Sequence, residues 1–264
     1  MSENRKFSVL MSVYIKENPV FLEEAVESIL NQTLKPSEVV LVEDGPLTPE
    51  LYQVLEKLTA QSTIPIKRCP LEQNRGLGLA LQYGVLQCQY DVIARMDTDD
   101  IAVEDRFEKQ FNLMETENLD LLGGHIAEFI DQPDEIVSYR RVPIKHEEII
   151  AYQRMRSAFN HMTVMFKKEM VLKAGNYEDG LYMEDDLLWL NMIAAGAKTG
   201  NLDQILCRVR VGAGMFERRG GLRYLKLYRQ ARQRMLKRGQ ISYLEYAKSV
   251  AIQMVVALCP GFVR

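Results

Sequence analysis

Across roughly its first hundred residues the chain alternates short, unbroken apolar runs with segments of helical period, and no other pattern in the sequence limits the fold as tightly. Phe7-Ser8-Val9-Leu10-Met11-Ser12-Val13-Tyr14 is nearly continuous in apolar side chains, the pattern of a strand covered on both faces. Asn18 then offers an N-cap with Pro19 at the first helical position. Leu22, Ala25, Val26, Ile29 and Leu30 follow on one helical face. Val39-Val40-Leu41-Val42 predicts a second strand, closed by the turn Glu43-Asp44-Gly45-Pro46. Helical spacing returns from Leu51 to Leu58, and Ile64 to Cys69 predicts a third strand. After the turn at Asn74-Arg75-Gly76 a helix is expected to about Gln87. Val92-Ile93-Ala94-Arg95-Met96 predicts a fourth strand, which ends in Asp97-Thr98-Asp99-Asp100.

Repeated β-α-β units of this size predict an α/β fold, a mostly parallel sheet with helices on both faces. Ligands of such sheets sit beyond the carboxyl ends of the strands. Glu43-Asp44-Gly45, Asn74-Arg75-Gly76 and Asp97-Thr98-Asp99-Asp100 all fall at those ends, which predicts one composed site on one rim. The second half is mixed. Glu104 to Glu117 reads as helix, Leu119 to Gly123 and Met162 to Phe166 as strands, and Glu184 to Ala195 as helix. In that last helix Leu188, Met192 and Ala195 share a face and Gly196 suits the C′ position. From Gly221 the chain reads as helical and basic, ending in the apolar patch Val250 to Leu258 before Pro260.

At 47% hydrophobic residues and a net charge of −3, the chain is ordered rather than disordered. Met1 to Lys6 is polar and the apolar stretch behind it is short, so no signal peptide is expected. No run reaches the ~20 apolar residues that span a bilayer. Cys69, Cys88, Cys207 and Cys259 are scattered, which points to a reduced, cytoplasmic setting and to metal chemistry without thiolates. The charge is unevenly spread. Arg208 to Arg264 holds thirteen basic residues against two acidic ones, and Arg218 to Arg238 holds nine Arg/Lys and no acid. Such a block suits an anionic partner: nucleic acid, a membrane surface or a phosphorylated lipid. A solvated basic helix is the plainer reading.

Asp97, Asp99 and Asp100 repel one another at neutral pH and persist at low cost only if exposed or neutralised by a cation. Hard oxygen ligands favour Mg²⁺ or Mn²⁺ shared with substrate phosphates. The alternative is an exposed acidic turn capping the helix near Glu104. An EF-hand loop would need Gly where Ala102 stands. Glu184-Asp185-Asp186 opens a helix, where acids favour the macrodipole, but three adjacent acids exceed what capping needs and one can act as a general base. Asn74-Arg75-Gly76-Leu77-Gly78 is a glycine-containing turn with a guanidinium, suited to phosphate, and matches neither the P-loop nor GxGxxG. His161 reads as a structural histidine.

Taken in order, these segments resemble the family 2 glycosyltransferases of the GT-A fold, particularly bacterial exopolysaccharide and capsule enzymes, over roughly Phe7 to Arg238. The resemblance implies the Rossmann-like nucleotide-diphospho-sugar transferase sheet over residues 1–215 and a basic amphipathic helical extension over 216–264. It places Ser12 and Tyr14 beside the nucleotide base. Glu43-Asp44-Gly45 is similar to the family's Asp-Asp-Gly turn, with Asp44 at the uracil-binding acid and Pro46 in place of the usual Ser. Asn74 and Arg75 fall in the loop flanking the nucleotide and diphosphate. Ile93 to Asp100 resembles the DxD strand end, so Asp97 is expected on the ribose or sugar side and Asp99 as the metal ligand, with Asp100 in support. Glu184-Asp185 resembles the ED motif, in which Asp185 is the base. His161 to Phe166 resembles a His-Pro-containing strand, with Met162 replacing Pro.

By that resemblance the expected activity is inverting, metal-dependent (Mn²⁺ or Mg²⁺) transfer of galactose, glucose or an N-acetylhexosamine from a UDP-sugar to a glycan or lipid-linked oligosaccharide acceptor. The basic extension, with Tyr224, Leu225, Tyr228, Ala231 and Met235 along an apolar stripe, is expected to lie on the anionic inner face of the membrane. The acidic remainder of the chain argues against nucleic acid. Two other readings stand beside this one. A sugar-nucleotide pyrophosphorylase wants a Gly-rich loop after the first strand, where this chain has Tyr14-Ile15-Lys16-Glu17-Asn18. A non-catalytic nucleotide- or glycan-binding module fits the fold signals but has no need of the second acidic cluster.

Overall fold

The structure, a computed structural model, describes residues 5–179, 183–212 and 221–258. Strands β1 (Phe7–Val13), β2 (Glu38–Glu43), β3 (Ile66–Pro70) and β4 (Val92–Arg95) run parallel in the spatial order β3-β2-β1-β4. Helices α1 (Pro19–Leu30), α2 (Pro49–Gln61) and α3 (Leu77–Gln87) make the crossovers. The chain steps outward from β1 to β2 and β3, then returns to the other side of β1 as β4. That reversal opens a crevice at the carboxyl ends of β1 and β4, where an open α/β sheet takes its ligands.

Beyond β4 the sheet becomes mixed. It continues through β8 (Met165–Lys167), β6 (Leu121–Phe129), β9 (Thr199–Arg210) and β5 (Ile101–Ala102), with β7 (Ile136–Arg140) alongside β6. β8 is antiparallel to both β4 and β6, whereas β6 and β9 are parallel. This half also carries α4 (Arg106–Glu117), α5 (His146–Gln153) and α6 (Lys168–Lys173). The sequence reading missed β5, β7, β9, α5 and α6, and it placed Met162 in a strand. Met162 lies instead in a 3₁₀ turn, His161–Thr163, that precedes β8.

Both faces of the parallel block are dry. Phe7, Val9, Met11 and Val13 of β1 pack under α1, α2 and α4 with Leu22, Leu51 and Phe107. Leu10, Val40 and Val42 face the other way, onto Leu81 and Val85 of α3. That second core centres on Trp189 of α7 (Glu184–Ala194), fully buried against the rings of Phe159 and Phe166. Gly84 permits the close approach of α3, since a Cβ there would lie 2.4 Å from Leu10 Cδ1 and 2.9 Å from Val42 Cγ2. The expected caps are in place: Asn18 Oδ1 accepts the Val20 N–H at 2.9 Å, and Gly196 takes φ +91° after α7.

The C-terminal helices are α8 (Gly221–Lys237) and α9 (Tyr243–Leu258). A third apolar cluster joins Met183, Leu187 and Leu190 to Ala231, Met235 and Ile241, so part of the α8 stripe is turned onto α7. Arg232 is buried, with Nε 3.1 Å from Ser249 Oγ and a second hydrogen bond to the Arg154 carbonyl. Arg238 grips the Glu178 carboxylate at 2.5 and 3.0 Å. The junction at 215/216 lies outside the described residues.

Candidate functional site

The site is assembled from five chain segments at the carboxyl rim: the ends of β1, β2 and β4, the β3–α3 loop and the first turn of α7. Ser12 and Tyr14 stand half-buried at the end of β1. Thr98 Oγ1 lies 3.3 Å from the Ser12 carbonyl oxygen and 2.6 Å from Glu17 Oε2, tying the β1 exit to the acidic turn that follows β4.

Asp44 is buried after β2 and engages the β3–α3 loop through both carboxylate oxygens. Oδ1 accepts the Arg75 N–H at 2.7 Å, while Oδ2 accepts the Gly76 N–H at 3.0 Å and Asn74 Nδ2 at 3.0 Å. Gly45, at φ +86°, makes this approach possible: a Cβ there would lie 2.6 Å from Asn74 N. Asp44 therefore fixes the shape of the loop expected to flank the nucleotide, and the Arg75 side chain is exposed beyond it.

Asp97, Asp99 and Asp100 place one carboxylate oxygen each within 4.8 Å of one another. The cluster does not cap α4, because β5 intervenes and the N-cap residue Asp105 makes no side-chain capping bond. Burial first, then repulsion from Asp97 and Glu17, pushes the Asp99 carboxyl up to about 7. Asp100, buried beside Asp99 and Asp97, is pushed well above the carboxylate range, though its Oδ1 accepts the Arg210 N–H at 2.9 Å. Closely spaced, poorly hydrated hard oxygens under strong mutual repulsion are the donor set a divalent Mg²⁺ or Mn²⁺ neutralises, so the residues present fit that ion.

The charge that holds this cluster is Arg95, the last residue of β4. Its guanidinium is buried and ion-paired with Asp97. Nε and Nη1 have no hydrogen-bond partner among the described residues. The backbone is pinned on both sides: the Arg95 N–H donates to the Val164 carbonyl at 2.8 Å, and the Arg95 carbonyl accepts from Arg106 Nη2 at 2.8 Å.

The second acidic cluster reaches the same place from the first turn of α7. Burial raises the Glu184 carboxyl, opposed first by a backbone hydrogen bond and then by the Arg95 charge. Asp185 Oδ1 accepts the Asp186 N–H at 2.8 Å. Burial, then repulsion from Asp186 and Glu184, pushes Asp185 up to about 8. Asp186 is buried and accepts from Gln153 Nε2 at 2.6 Å, which anchors it in the core. Gly78 brings the start of α3 against this turn, since a Cβ there would meet the Glu178 carbonyl at 2.4 Å and Glu184 Cβ at 3.0 Å. His161 is structural as expected: its Nε2 lies 2.9 Å from the Tyr177 hydroxyl, its ring packs edge-on to Trp189, and burial keeps it neutral.

The structure thus gathers the Asp44 turn, Asn74 and Arg75, the Asp97–Asp100 turn and Asp185 at one rim, with Ser12 and Tyr14 at its β1 side. Sequence reasoning missed Arg95, Glu17 and Arg210 as site residues. The signal for Arg95 was a lone charge in an otherwise apolar strand directly ahead of an acidic cluster. Arg210 had none, because its guanidinium stacks 3.7 Å from the Phe21 ring centroid, a contact only the fold creates.

The model of glycosyl transferase family 2 matches residues 8–179, and the chain belongs to that family. The amylovoran biosynthesis glycosyltransferase AmsE of Erwinia amylovora is 42% identical over 83% of this chain and 82% of its own length. A UDP-Gal:alpha-D-GlcNAc-diphosphoundecaprenol beta-1,3-galactosyltransferase of Escherichia coli is 37% identical over 98% of this chain and 94% of its own. Among solved structures, the mannosyltransferase PcManGT of Pyrobaculum calidifontis, in complex with GDP-Man and Mn²⁺, superposes with a TM-score of 0.68 at 14% identity. It covers 96% of this chain and 70% of that one, and the shared architecture is the GT-A fold.

Replacing Arg95 by Met keeps the bulk and removes the counter-charge. We expect the unfolding free energy, measured in urea at neutral pH, to fall by about 3–5 kcal/mol. Arg95→Lys should recover part of the loss, and a loss for Arg95→Met under ~1 kcal/mol would contradict the role of that charge.

Proposed function

We propose that this glycosyltransferase moves a hexose from a UDP-sugar, with inversion and with the help of Mn²⁺ or Mg²⁺, to a glycan or lipid-linked acceptor in polysaccharide biosynthesis. The observation that carries this reading is a pair of acidic clusters at one rim: Asp97–Asp100, ion-paired through Asp97 to the buried Arg95, and Glu184–Asp186, whose first residue packs against Gly78 at the start of α3. A binding module needs one of them at most, whereas sugar transfer needs both a diphosphate-side cluster and a base.

Ser12, Tyr14 and Asp44 line the base side of the cleft, and Asn74 and Arg75 flank the diphosphate. Asp97 orients the ribose or sugar, and Asp99 holds the cation. When bound, the cation neutralises charge on the departing diphosphate. Asp185 removes the acceptor hydroxyl proton while that oxygen attacks the anomeric carbon. The C–O bond to UDP breaks on the opposite face, leaving UDP as product and the proton on Asp185. The E. coli relative's name supports UDP-galactose as donor and a lipid diphosphate carrier for the acceptor, and the Erwinia relative's name supports exopolysaccharide assembly. No helix among the described residues is long and apolar enough to cross a membrane. The relative's lipid diphosphate acceptor supports work at the cytoplasmic face, with the enzyme held to the anionic surface through its basic C-terminal segment.

A donor panel of UDP-galactose, UDP-glucose, UDP-GlcNAc, UDP-GalNAc and GDP-mannose, read by nucleotide release, tests the reading. UDP release from one donor, with Mn²⁺ and not with EDTA, is the expected result. Asp185→Asn should lower turnover about 10²–10⁴-fold with donor binding intact. Asp99→Asn should weaken both, and near-normal turnover of Asp185→Asn removes Asp185 from the base role.

A base must be ionised to act, and Asp185 is pushed up to about 8, so the transfer rate should rise with pH through that value. Asp186→Asn deletes the like charge that repels Asp185 most and should move the acid limb of the kcat/KM profile to lower pH. A limb that stays in place, or moves upward, contradicts the assignment.

A further inference from the structure

Helix α9 is apolar on two sides, and only one of them is covered. Tyr246, Ser249 and Ala257 turn inward: Ser249 holds Arg232, Tyr246 packs on the Met235 cluster, and Ala257 is buried. Leu244, Lys248, Ala251, Ile252 and Val255 recur at intervals of three and four residues on the opposite side, which makes them one helical stripe. Leu244, Ile252 and Val255 are 61%, 59% and 64% exposed, and nothing among the described residues covers them. Isolated exposed apolar residues are ordinary, but a continuous aliphatic stripe along a helix marks a contact surface.

Its neighbour supplies charge. Lys226 and Arg229 of α8 flank the cleft between the two helices with Leu222, Leu225 and Met254, and Arg223 and Lys237 are exposed as well. Helix α8 carries no acid, and the acid of α9, Glu245, pairs with Arg154 at 3.8 Å and accepts the Ser242 N–H at 2.6 Å. The surface is therefore aliphatic and cationic, without exposed acids to match a basic or mixed protein partner. A 16-residue helix is about 24 Å long, too short to cross a bilayer of about 30 Å.

We infer that the outward stripe of α9 is the membrane-docking surface of the enzyme, with α8 as its cationic flank. Leu244, Ile252 and Val255 enter the boundary between headgroups and acyl chains, while Lys248, Lys226 and Arg229 meet anionic headgroups. This inference rests on the proposal of a lipid-linked acceptor and changes which helix meets the lipid. The stripe that the sequence offered on α8 is partly spent on α7, where Ala231 and Met235 are buried against Leu187. Because α8 packs on the same helix that carries Asp185, docking through α9 holds the proposed base at a fixed height above the headgroups.

The test uses the full chain and vesicles of phosphatidylglycerol and phosphatidylethanolamine, with neutral phosphatidylcholine vesicles as the contrast. Ile252→Asp/Val255→Asp and Lys226→Glu/Arg229→Glu should each lower the partition coefficient onto anionic vesicles at least about tenfold. Both should keep the wild-type unfolding midpoint and turn over a lipid-free acceptor within about twofold of wild type, while transfer to a vesicle-borne acceptor falls. Vesicle binding unchanged by Ile252→Asp/Val255→Asp overturns the inference. So does a concentration-dependent dimer that this variant dissociates without loss of vesicle binding, which would assign the stripe to a second copy of the chain. Sugar transfer by a wild-type protein that binds no vesicles sinks the docking surface and leaves the transferase proposal standing. Vesicle binding lost in both variants of a protein that releases no nucleotide from any donor does the reverse.

Discussion

A buried positive charge at the carboxyl end of β4 organises the rim of this sheet. Arg95 is sealed from water and ion-paired with Asp97, and its charge also opposes the upward shifts of Asp99, Asp100 and Glu184. Without a cation in their midst, Asp97, Asp99, Asp100 and Glu184 would each face uncompensated repulsion in a poorly hydrated space. One guanidinium cannot neutralise them all, and burial followed by repulsion from Asp97 and Glu17 leaves the Asp99 carboxyl shifted upward. The fold accordingly keeps a site with unspent negative charge, which a divalent ion and a substrate can complete.

The parallel block makes this arrangement possible. Its reversal at β1 leaves the ends of β1 and β4 side by side, and the Thr98–Glu17 hydrogen bond closes the gap between them. Two glycines set the remaining spacings. Gly45 lets the Asp44 turn reach the β3–α3 loop, and Gly78 lets that same crossover touch the first turn of α7. Family 2 membership and the GT-A architecture fit this geometry, in which the strand ends and the first turn of α7 meet at one rim.

Much of this was legible from the chain alone, and for identifiable reasons. The runs Phe7–Tyr14, Val39–Val42 and Val92–Met96 are apolar because both sheet faces are covered, so each strand and the polar cluster at its end stood out. Asn18-Pro19 and Gly196 carry local backbone chemistry that needs no tertiary context. The misses have the opposite character. Thr199–Arg210 forms a twelve-residue strand, yet exposed Asp203 and Gln204 break its pattern where the register against β6 shifts. Arg95 reads as an interruption of a strand until the acidic turn that it ion-pairs with is seen beside it. Helical period showed that α8 has an apolar face but not that α7 would cover it, and the apolar patch Val250 to Leu258 did not reveal which of its residues face outward.

The central claim is that the acidic rim is a cation site completed by a nucleoside diphosphate, and Mn²⁺ electron paramagnetic resonance reports on it directly. Titrating the ion into the protein at pH 8, above the raised Asp99 value, should show bound Mn²⁺ whose spectrum changes when UDP is added. Asp99→Asn should abolish the bound signal. Free-ion spectra throughout, with and without UDP, would contradict the account.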